Sequence, residues 1–430
     1  KGIAMSAPPV PSLPDRPSLD QLKRQARELQ TAFTDDEVAA RARVVAQLPG
    51  RTNQPSLSLA DAQCVIAREV GYATWARLKS HIEWAHQTPE DRLQAAVTTV
   101  NPVGYADVET LPDYSDKLEA LGHMLDQDPA LARGRFGERQ WTLLHQAAWG
   151  NGLEIGDKLI GAGADPHAQA AGGATPLAVA LHFGWGKQPL AQRLAEYGPI
   201  PDNLRTAAGL GRIDRVRQII DDGDRLPTSA GDDREVWHLT YDFPERPLLT
   251  DHQGLVDDAF CCAARNNQLD VAAYLIDQGA QVNRVTYVGT ALHWAAFLGR
   301  IAAVRFLLER GADLEAQDDE FHGTPLAWSH IFRIRETASF LIDQGAECSL
   351  PLLCAYGPIS KIRQELSAAT DVDEADFQGD TALIHAIRER REDVVKLLLS
   401  SGADPDRTDG DRPSPREEAN QIGVSSILFD

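Results

Sequence analysis

Apolar residues recur along this chain at helical spacing, in short segments that are separated by glycine, proline and polar turns. Residues 289–313 show the pattern best. Thr290 is a suitable N-cap for a first helix, which Gly299 ends. A second helix then places Leu307 and its apolar neighbours on one face, and Gly311 follows as a C-cap. Neither helix can bury its apolar side alone, so the pattern predicts units that stack.

The same pattern recurs in units that align on one apolar residue near the start of each first helix. These anchor residues are Leu144, Leu177, Leu204, Phe260, Leu292, Leu326, Leu350 and Leu383. Most steps between anchors are 32 to 34 residues long, but the steps that begin at Leu177 and Leu326 are only 27 and 24. The step that begins at Leu204 is 56 residues and leaves an insertion at 225–255.

The segments TALHWAAFLG and VRFLLERGAD resemble the ankyrin repeat, whose signature carries T-P-L-H-x-A at a period of about 33 residues. The resemblance implies an all-α solenoid of stacked helix pairs over residues 88–430. It comprises about nine to ten units, with an irregular first unit and a C-terminal cap at 411–430. In this family the first helices and projecting turns line a concave groove, so the resemblance implies recognition of a protein or peptide partner there.

The N-terminal part has a different organisation. We interpret residues 1–17 as a cloning remnant and a Pro-rich leader, without a signal peptide. Residues 18–87 predict a helical cap domain, in which Ser18 and Thr74 each begin a helix. The segments LKRQARELQ and LADAQCVIAREVGYATWARLK resemble a helical region that precedes the repeats in some bacterial ankyrin-repeat proteins.

Composition narrows the range of partners. The net charge of −21 disfavours nucleic acid and anionic membrane surfaces and favours basic protein partners. An odd number of cysteines, five, without paired spacing indicates a reducing compartment, so we expect the protein in the cytoplasm. No apolar run is long enough to span a membrane.

The resemblance assigns scaffolding roles to the residues at and near the T-P-L-H positions, because they hold neighbouring units together in this family. These residues are Thr142, His145, Thr175, Pro176, Thr290, His293, Thr324, Pro325, Thr381 and His385. His385 lies one place later than His293 relative to its anchor, which makes its role less regular.

Aromatic residues near the anchors and in the insertion are the candidate ligand-binding or partner-binding residues. They are Trp149, Trp185, Trp237, His238, Tyr241, Tyr287, Trp294, Phe297, Phe321 and Trp328. Tryptophan offers a large apolar face and an N–H donor, which suits a partly hydrated site. Two interpretations remain open: the rings line a narrow pocket, or they fill the gaps between repeats.

Carboxylates near these aromatic residues permit a second kind of function. Asp242, Asp319 and Glu320 could supply the acid pair that hydrolysis of a glycoside requires. The alternative interpretation is that these residues only cap turns, in which aspartate is common.

The sequence indicates neither a metal site nor a cofactor. No nucleotide-binding or nucleophile motif is present, and His322 and His330 lie eight residues apart without an obvious third ligand. Two functions therefore remain: a binding scaffold, or an enzyme or small-molecule (carbohydrate-like) binder whose pocket the 225–255 insertion closes. The first is the expectation, and a hydrolase is the form that the second would take.

Overall fold

A computed structural model gives the architecture of the chain, and most of the residues that it describes are helical. It describes residues 13, 17–51, 54–100, 113–171, 173–183, 189–221, 251–286, 288–368, 371–376, 378–408 and 412–425. Within these ranges the named strands are a single antiparallel pair, β1 (Arg135–Phe136) and β2 (Trp141–Thr142). The expectation of an all-α fold is confirmed.

The helices fall into two compact units, residues 1–96 and 97–430. The first unit contains α1 (Leu19–Thr34), α2 (Val38–Gln47), α3 (Leu59–Glu69) and α4 (Trp75–His86), and α5 (Pro89–Val100) crosses the division. The second contains α6 (Tyr114–Gln127), α7 (Leu143–Trp149), α8 (Leu153–Gly161), α9 (Pro176–Phe183), α10 (Pro189–Leu194), α11 (Leu204–Gly209), α12 (Ile213–Asp221), α13 (His252–Arg265), α14 (Leu269–Asp277), α15 (Ala291–Phe297), α16 (Ile301–Glu309), α17 (Pro325–Ile331), α18 (Arg335–Asp343), α19 (Leu350–Tyr356), α20 (Ile359–Ala368), α21 (Ala382–Arg388), α22 (Glu392–Ser400) and α23 (Pro415–Gln421). Short 3₁₀ turns lie at Pro49–Arg51 and Pro129–Arg133. No described helix is both long and apolar enough to cross a lipid bilayer.

The N-terminal unit is a small helical bundle with its own core. Ser18 and Thr74 cap their helices, as the sequence predicts, by accepting hydrogen bonds from Gln21 N and Arg77 N, both at 3.3 Å. The stripe of α1 buries Leu29 and Phe33 against α3, at 2% and 0% exposure. This burial of large apolar side chains gives the bundle a core of its own.

The second unit is a stack of helix pairs. The first helices pack side by side: α7 on α9, α11 on α13, α13 on α15, and α15 on α17. The second helices form another layer, in which α8 packs on α10 and α16 on α18. Each pair therefore covers the apolar face of its neighbour, as a solenoid requires.

Backbone conformation confirms the register of most predicted anchors. A residue with positive φ occurs seven places after the anchor in six units, at Asn151, Gly211, Asn267, Gly299, Arg333 and Arg390. A glycine with φ between 83° and 103° occurs nineteen places after the anchor in five units, at Gly163, Gly279, Gly311, Gly345 and Gly402. Glycine adopts this left-handed conformation without the steric penalty of a Cβ atom, which explains its recurrence there.

The unit anchored at Leu350 departs from this register. Gly357, seven places after the anchor, has φ −82° and ψ 163°, which is extended backbone. Pro358 follows it, and a residue that precedes proline is driven by steric contact into the extended region. The turn between α19 and α20 therefore differs from the others. The 24-residue step from Leu326 to Leu350 had already indicated an irregularity in this part of the array.

Two histidines of the T-P-L-H positions connect neighbouring units. His145 accepts a hydrogen bond at Nδ1 from Thr142 N (3.2 Å) and donates from Nε2 to the Ala174 carbonyl of the next unit (2.9 Å). His293 repeats this arrangement with Thr290 N at 3.2 Å and the Gly323 carbonyl at 2.9 Å. The scaffolding role of both residues is thereby confirmed.

The helix after the predicted insertion begins earlier than expected. The sequence places 225–255 in the insertion, but α13 already starts at His252, because Asp251 accepts an N-cap hydrogen bond from Gly254 N at 2.8 Å. Residues 222–250 lie outside the described part of the chain.

The buried state of His145 predicts a pH dependence of stability. Burial lowers its pKa from the ordinary 6.5 to about 4. Between these two values the unfolded chain binds the proton and the folded chain does not, so folding stability is lost as the pH falls. Between pH 7 and pH 5 we expect His145 to cost the folded state about 2 kcal/mol.

Urea denaturation at pH 5 and pH 7, for the wild type and for His145→Gln, measures this contribution. The wild type should lose about 2 kcal/mol more than the variant over this range. His322→Gln, at an exposed histidine, is the matched control. Its free energy of unfolding should change between pH 7 and pH 5 by the same amount as that of the wild type. If the free energy of unfolding changes equally with pH in His145→Gln and in the wild type, His145 does not resist protonation in the folded state.

Candidate functional site

Five buried side chains from α9, α11, α13 and α15 meet in the middle of the stack. We call His182, Arg205, Asp258, Arg265 and Trp294 the central cluster. Each has 6% exposure or less. Successive first helices lie side by side, so residues on equivalent faces of different units come into contact.

Arg265 is the hub of the central cluster. Its guanidinium carbon lies 4.0 Å from the ring centroid of Trp294, which is cation–π geometry. Its Nη1 lies 2.7 Å from Nδ1 of His182, and Arg205 Nη2 lies 3.2 Å from the same nitrogen. The imidazole of His182 therefore accepts hydrogen bonds from both guanidinium groups.

The electrostatics of the central cluster explain why His182 acts as a hydrogen-bond acceptor. Burial, followed by the charges of Arg265 and Arg205, holds the pKa of His182 well below its usual value, so the ring is neutral. Asp258 supplies a compensating negative charge, with its Oδ2 3.3 Å from Arg205 Nε. Because the guanidinium groups engage Nδ1, the ring does not offer that nitrogen as a general base. The central cluster is suited to rigidity rather than to proton transfer.

Beside the central cluster the predicted aromatic residues form a packed row. The ring centroid of Trp294 lies 5.2 Å from that of Trp328 and 5.8 Å from that of Phe297, both edge to face. Phe297 continues the row to Phe332 at 4.3 Å. The rings of Trp294, Phe297 and Trp328 are 6%, 3% and 8% exposed, so they fill the space between units rather than line an open slot.

The other predicted ligand-binding or partner-binding residues lie elsewhere. Trp149 is half-buried and packs edge to face on Trp141, with centroids 5.5 Å apart, at the α7 end of the stack. Phe321 is 71% exposed. The remaining predicted site residues lie outside the described part of the chain: Trp185, Trp237, His238, Tyr241, Asp242 and Tyr287.

Phe321 projects from a turn that Asp318 holds in place. The Asp318 carboxylate accepts hydrogen bonds from the backbone N–H groups of Glu320 (2.9 Å), Phe321 (2.6 Å) and Gly323 (2.9 Å), and from Trp328 Nε1 (2.8 Å). Burial alone would raise the pKa of Asp318, but these four hydrogen bonds outweigh it and lower the pKa. The carboxylate is therefore ionised at neutral pH and fixes the turn.

Two of the three carboxylates that the sequence singled out as acids directly precede Phe321. Asp319 is exposed and Glu320 is half-buried on the same turn, while the third candidate, Asp242, lies outside the described residues. Asp319 and Glu320 make the surroundings of the exposed ring acidic.

A second cluster lies towards the C-terminal end, where sequence reasoning expected only scaffolding. His385 does not bond a carbonyl of the next unit as His293 does; its Nε2 lies 2.9 Å from Oδ2 of Asp376. The ring of His330 lies 5.2 Å from that of His385. The displaced position of His385 relative to its anchor was the one sequence signal of this cluster, because Asp376 and His330 lie in separate stretches.

A comparison with protein families matches residues 245–318 and 319–409 to the model for ankyrin repeats (3 copies). A search of curated proteins finds L-asparaginase of Dirofilaria immitis at 28% identity over 39% of this chain and 30% of that protein. Ankyrin repeat and SOCS box protein 6 of Homo sapiens is 27% identical over 50% of this chain and 47% of its own length. The putative palmitoyltransferase ZDHHC13 of Danio rerio is 28% identical over 37% and 27%. The matched segments thus span less than half the length of each of these relatives.

Proposed function

This chain is an ankyrin-repeat protein, and from that premise we propose that it is a protein-interaction scaffold whose partner binds at the turn that carries Phe321. The proposal rests on one observation: a large aromatic side chain is 71% exposed on a turn whose backbone is fixed. Exposed aromatic anchors contribute much of the binding energy at protein interfaces.

The fixed turn lowers the entropic cost of binding a partner at the Phe321 ring. Three backbone hydrogen bonds to Asp318 hold residues 318–323, and a fourth from Trp328 Nε1 fixes the carboxylate, so little backbone entropy remains to be lost when a partner binds. Ile331, at the other end of α17 in the same unit, is also an exposed apolar side chain, at 48%. A partner that offers an apolar contact to Phe321 fits this turn.

Charge supports a basic partner. Asp319 and Glu320 directly precede Phe321, and the whole chain carries a net charge of −21. Complementary charge at the rim of an interface raises the association rate and selects against acidic competitors. The preferred partner is therefore a segment that carries lysine or arginine beside an apolar anchor. Five free cysteines support placing this interaction in a reducing compartment such as the cytoplasm.

We do not extend the proposal to hydrolysis. Among the described residues, the aromatic rings of α15 and α17 are packed together, and the Asp318 carboxylate is engaged by its turn. The relatives are named for different activities, an asparaginase and a palmitoyltransferase among them, and the matched segments cover less than a third of both. A shared catalytic activity does not follow from such a match.

A peptide library displayed on phage and selected on the wild-type chain tests the proposal. Selected peptides should contain basic residues beside an apolar one, and Phe321→Ala should weaken their binding at least tenfold, about 1.4 kcal/mol or more. Asp319→Asn should lower the association rate and its dependence on salt.

Tyr197→Ala is the matched control, because Tyr197 is also an exposed aromatic residue, at 43%, but belongs to a different unit. It should bind the selected peptides as the wild type does. Peptides that bind Phe321→Ala and wild type equally would place the recognition surface elsewhere.

A further inference from the structure

Three side chains that commonly ligate metals meet between the units anchored at Leu326 and Leu383. A ring nitrogen of His330, a ring nitrogen of His385 and a carboxylate oxygen of Asp376 all lie within 4.8 Å of one another. His330 is on α17, Asp376 is in the turn before α21, and His385 is on α21. We propose that they form a binding site for a divalent transition-metal ion of the Zn²⁺ class.

Hydrogen bonds from the surroundings hold two of the three ligands in place. Asp376 Oδ1 accepts hydrogen bonds from Gln378 N (2.8 Å) and Asp380 N (3.0 Å), and this leaves Oδ2 directed at His385. His330 Nδ1 lies 3.1 Å from the buried hydroxyl of Tyr356, which leaves Nε2 as the nitrogen for an ion. Metal-binding histidines usually have such a partner on the second ring nitrogen, because it fixes the tautomer and the ring orientation.

The donor set selects the kind of ion. Two imidazoles and one carboxylate suit Zn²⁺ and neighbouring transition metals, whereas Ca²⁺ and Mg²⁺ require mainly oxygen ligands. Tetrahedral ligands at Zn–N distances near 2.0–2.1 Å lie about 3.3 Å apart. The widest separation of the three atoms, up to 4.8 Å, exceeds this by about 1.5 Å, which small side-chain rotations can close. Three protein ligands leave a fourth position for water or for a group of a partner.

The position of the site predicts what the ion does. His330 belongs to one unit, and Asp376 and His385 belong to another, with the unit of α19 and α20 between them in the chain. An ion held by both units would link them where the repeat register is interrupted. Binding to the folded chain alone then raises its thermal stability.

Calorimetric titration of the purified full chain with ZnCl₂, after treatment with a chelator and dialysis, tests the proposal. We expect one ion per chain and a rise in melting temperature. Asp376→Asn, which retains an acceptor for Gln378 N, and His385→Gln should each weaken binding at least tenfold. His322→Gln, at an exposed histidine four residues after Asp318, is the control and should bind as the wild type does.

Absence of binding to the wild type, unchanged binding in both ligand variants, or loss of binding in His322→Gln would each overturn the proposal. Circular dichroism without metal establishes that the variants are folded. If they are not, Co²⁺ added to the wild type decides: visible d–d bands of a nitrogen- and oxygen-ligated ion at one equivalent support the site, and their absence rejects it.

Discussion

Asp258→Ala is expected to destabilise the repeat array by about 3–5 kcal/mol, a large fraction of the stability of an ordinary domain. Asp258 is 3% exposed and lies against the guanidinium of Arg205, which is itself 6% exposed. Arg265, with 1% exposure, brings a second positive charge into the central cluster. The variant leaves both guanidinium groups in a medium that solvates them poorly, with their compensating carboxylate removed. Urea denaturation at pH 7, followed by circular dichroism, measures the loss.

Two further variants separate this effect from a general response to losing an aspartate. Asp214→Ala removes a carboxylate whose side chain is 91% exposed and 3.8 Å from Arg217, so it should change stability by less than about 1 kcal/mol. Arg205→Met combined with Asp258→Ala removes both members of the buried pair and should recover part of the loss. A single Asp258→Ala variant within 1 kcal/mol of the wild type would show that the central cluster is hydrated.

The sequence could predict the stack because its signals are local and repeated. Thr290 caps a helix three residues before His293, and Gly311 adopts positive φ after the second helix, in each case for reasons contained in the unit. Such local preferences accumulate over several units and fix the register. Pro358 has the same local character, although its effect on Gly357 became visible only in the backbone angles.

The central cluster could not be predicted in this way. His182 and Arg265 are 83 residues apart, and their contact depends on how α9 and α13 pack against each other. The repeat signature does not specify these positions, so neither residue attracted attention. A buried guanidinium between an imidazole and an indole is a product of tertiary packing alone.

The aromatic residues show a second limit of prediction from the sequence. The spacing of Trp294 and Trp328 after their anchors suggested one groove, and the structure places their centroids 5.2 Å apart. Spacing could not tell whether the rings face the groove or each other. Phe321 was one candidate among several, and its exposure depends on the turn that Asp318 fixes.

Trp294→Ala is expected to have the second large effect, a loss of about 3–5 kcal/mol together with a change in how the array unfolds. The indole is 6% exposed, lies 4.0 Å from the Arg265 guanidinium carbon and packs edge to face on Trp328. Its removal opens a cavity at the contact between three successive units and withdraws the cation–π partner of a buried charge.

In a solenoid each unit interacts mainly with units close to it in the stack, so weakening one internal contact is expected to uncouple the two sides of the stack. Hydrogen exchange followed by mass spectrometry should therefore show residues 143–265 and 291–408 exchanging with one common rate in the wild type and with separate rates in Trp294→Ala. Trp294→Phe keeps a ring in place and should lose less stability without the separation. Trp149→Ala, at a half-buried tryptophan near the α7 end, should increase exchange at that end alone, because only one side of the stack extends far beyond it. A uniform rise in exchange across the array in Trp294→Ala would mean that the stack unfolds as a single cooperative body despite its linear contacts.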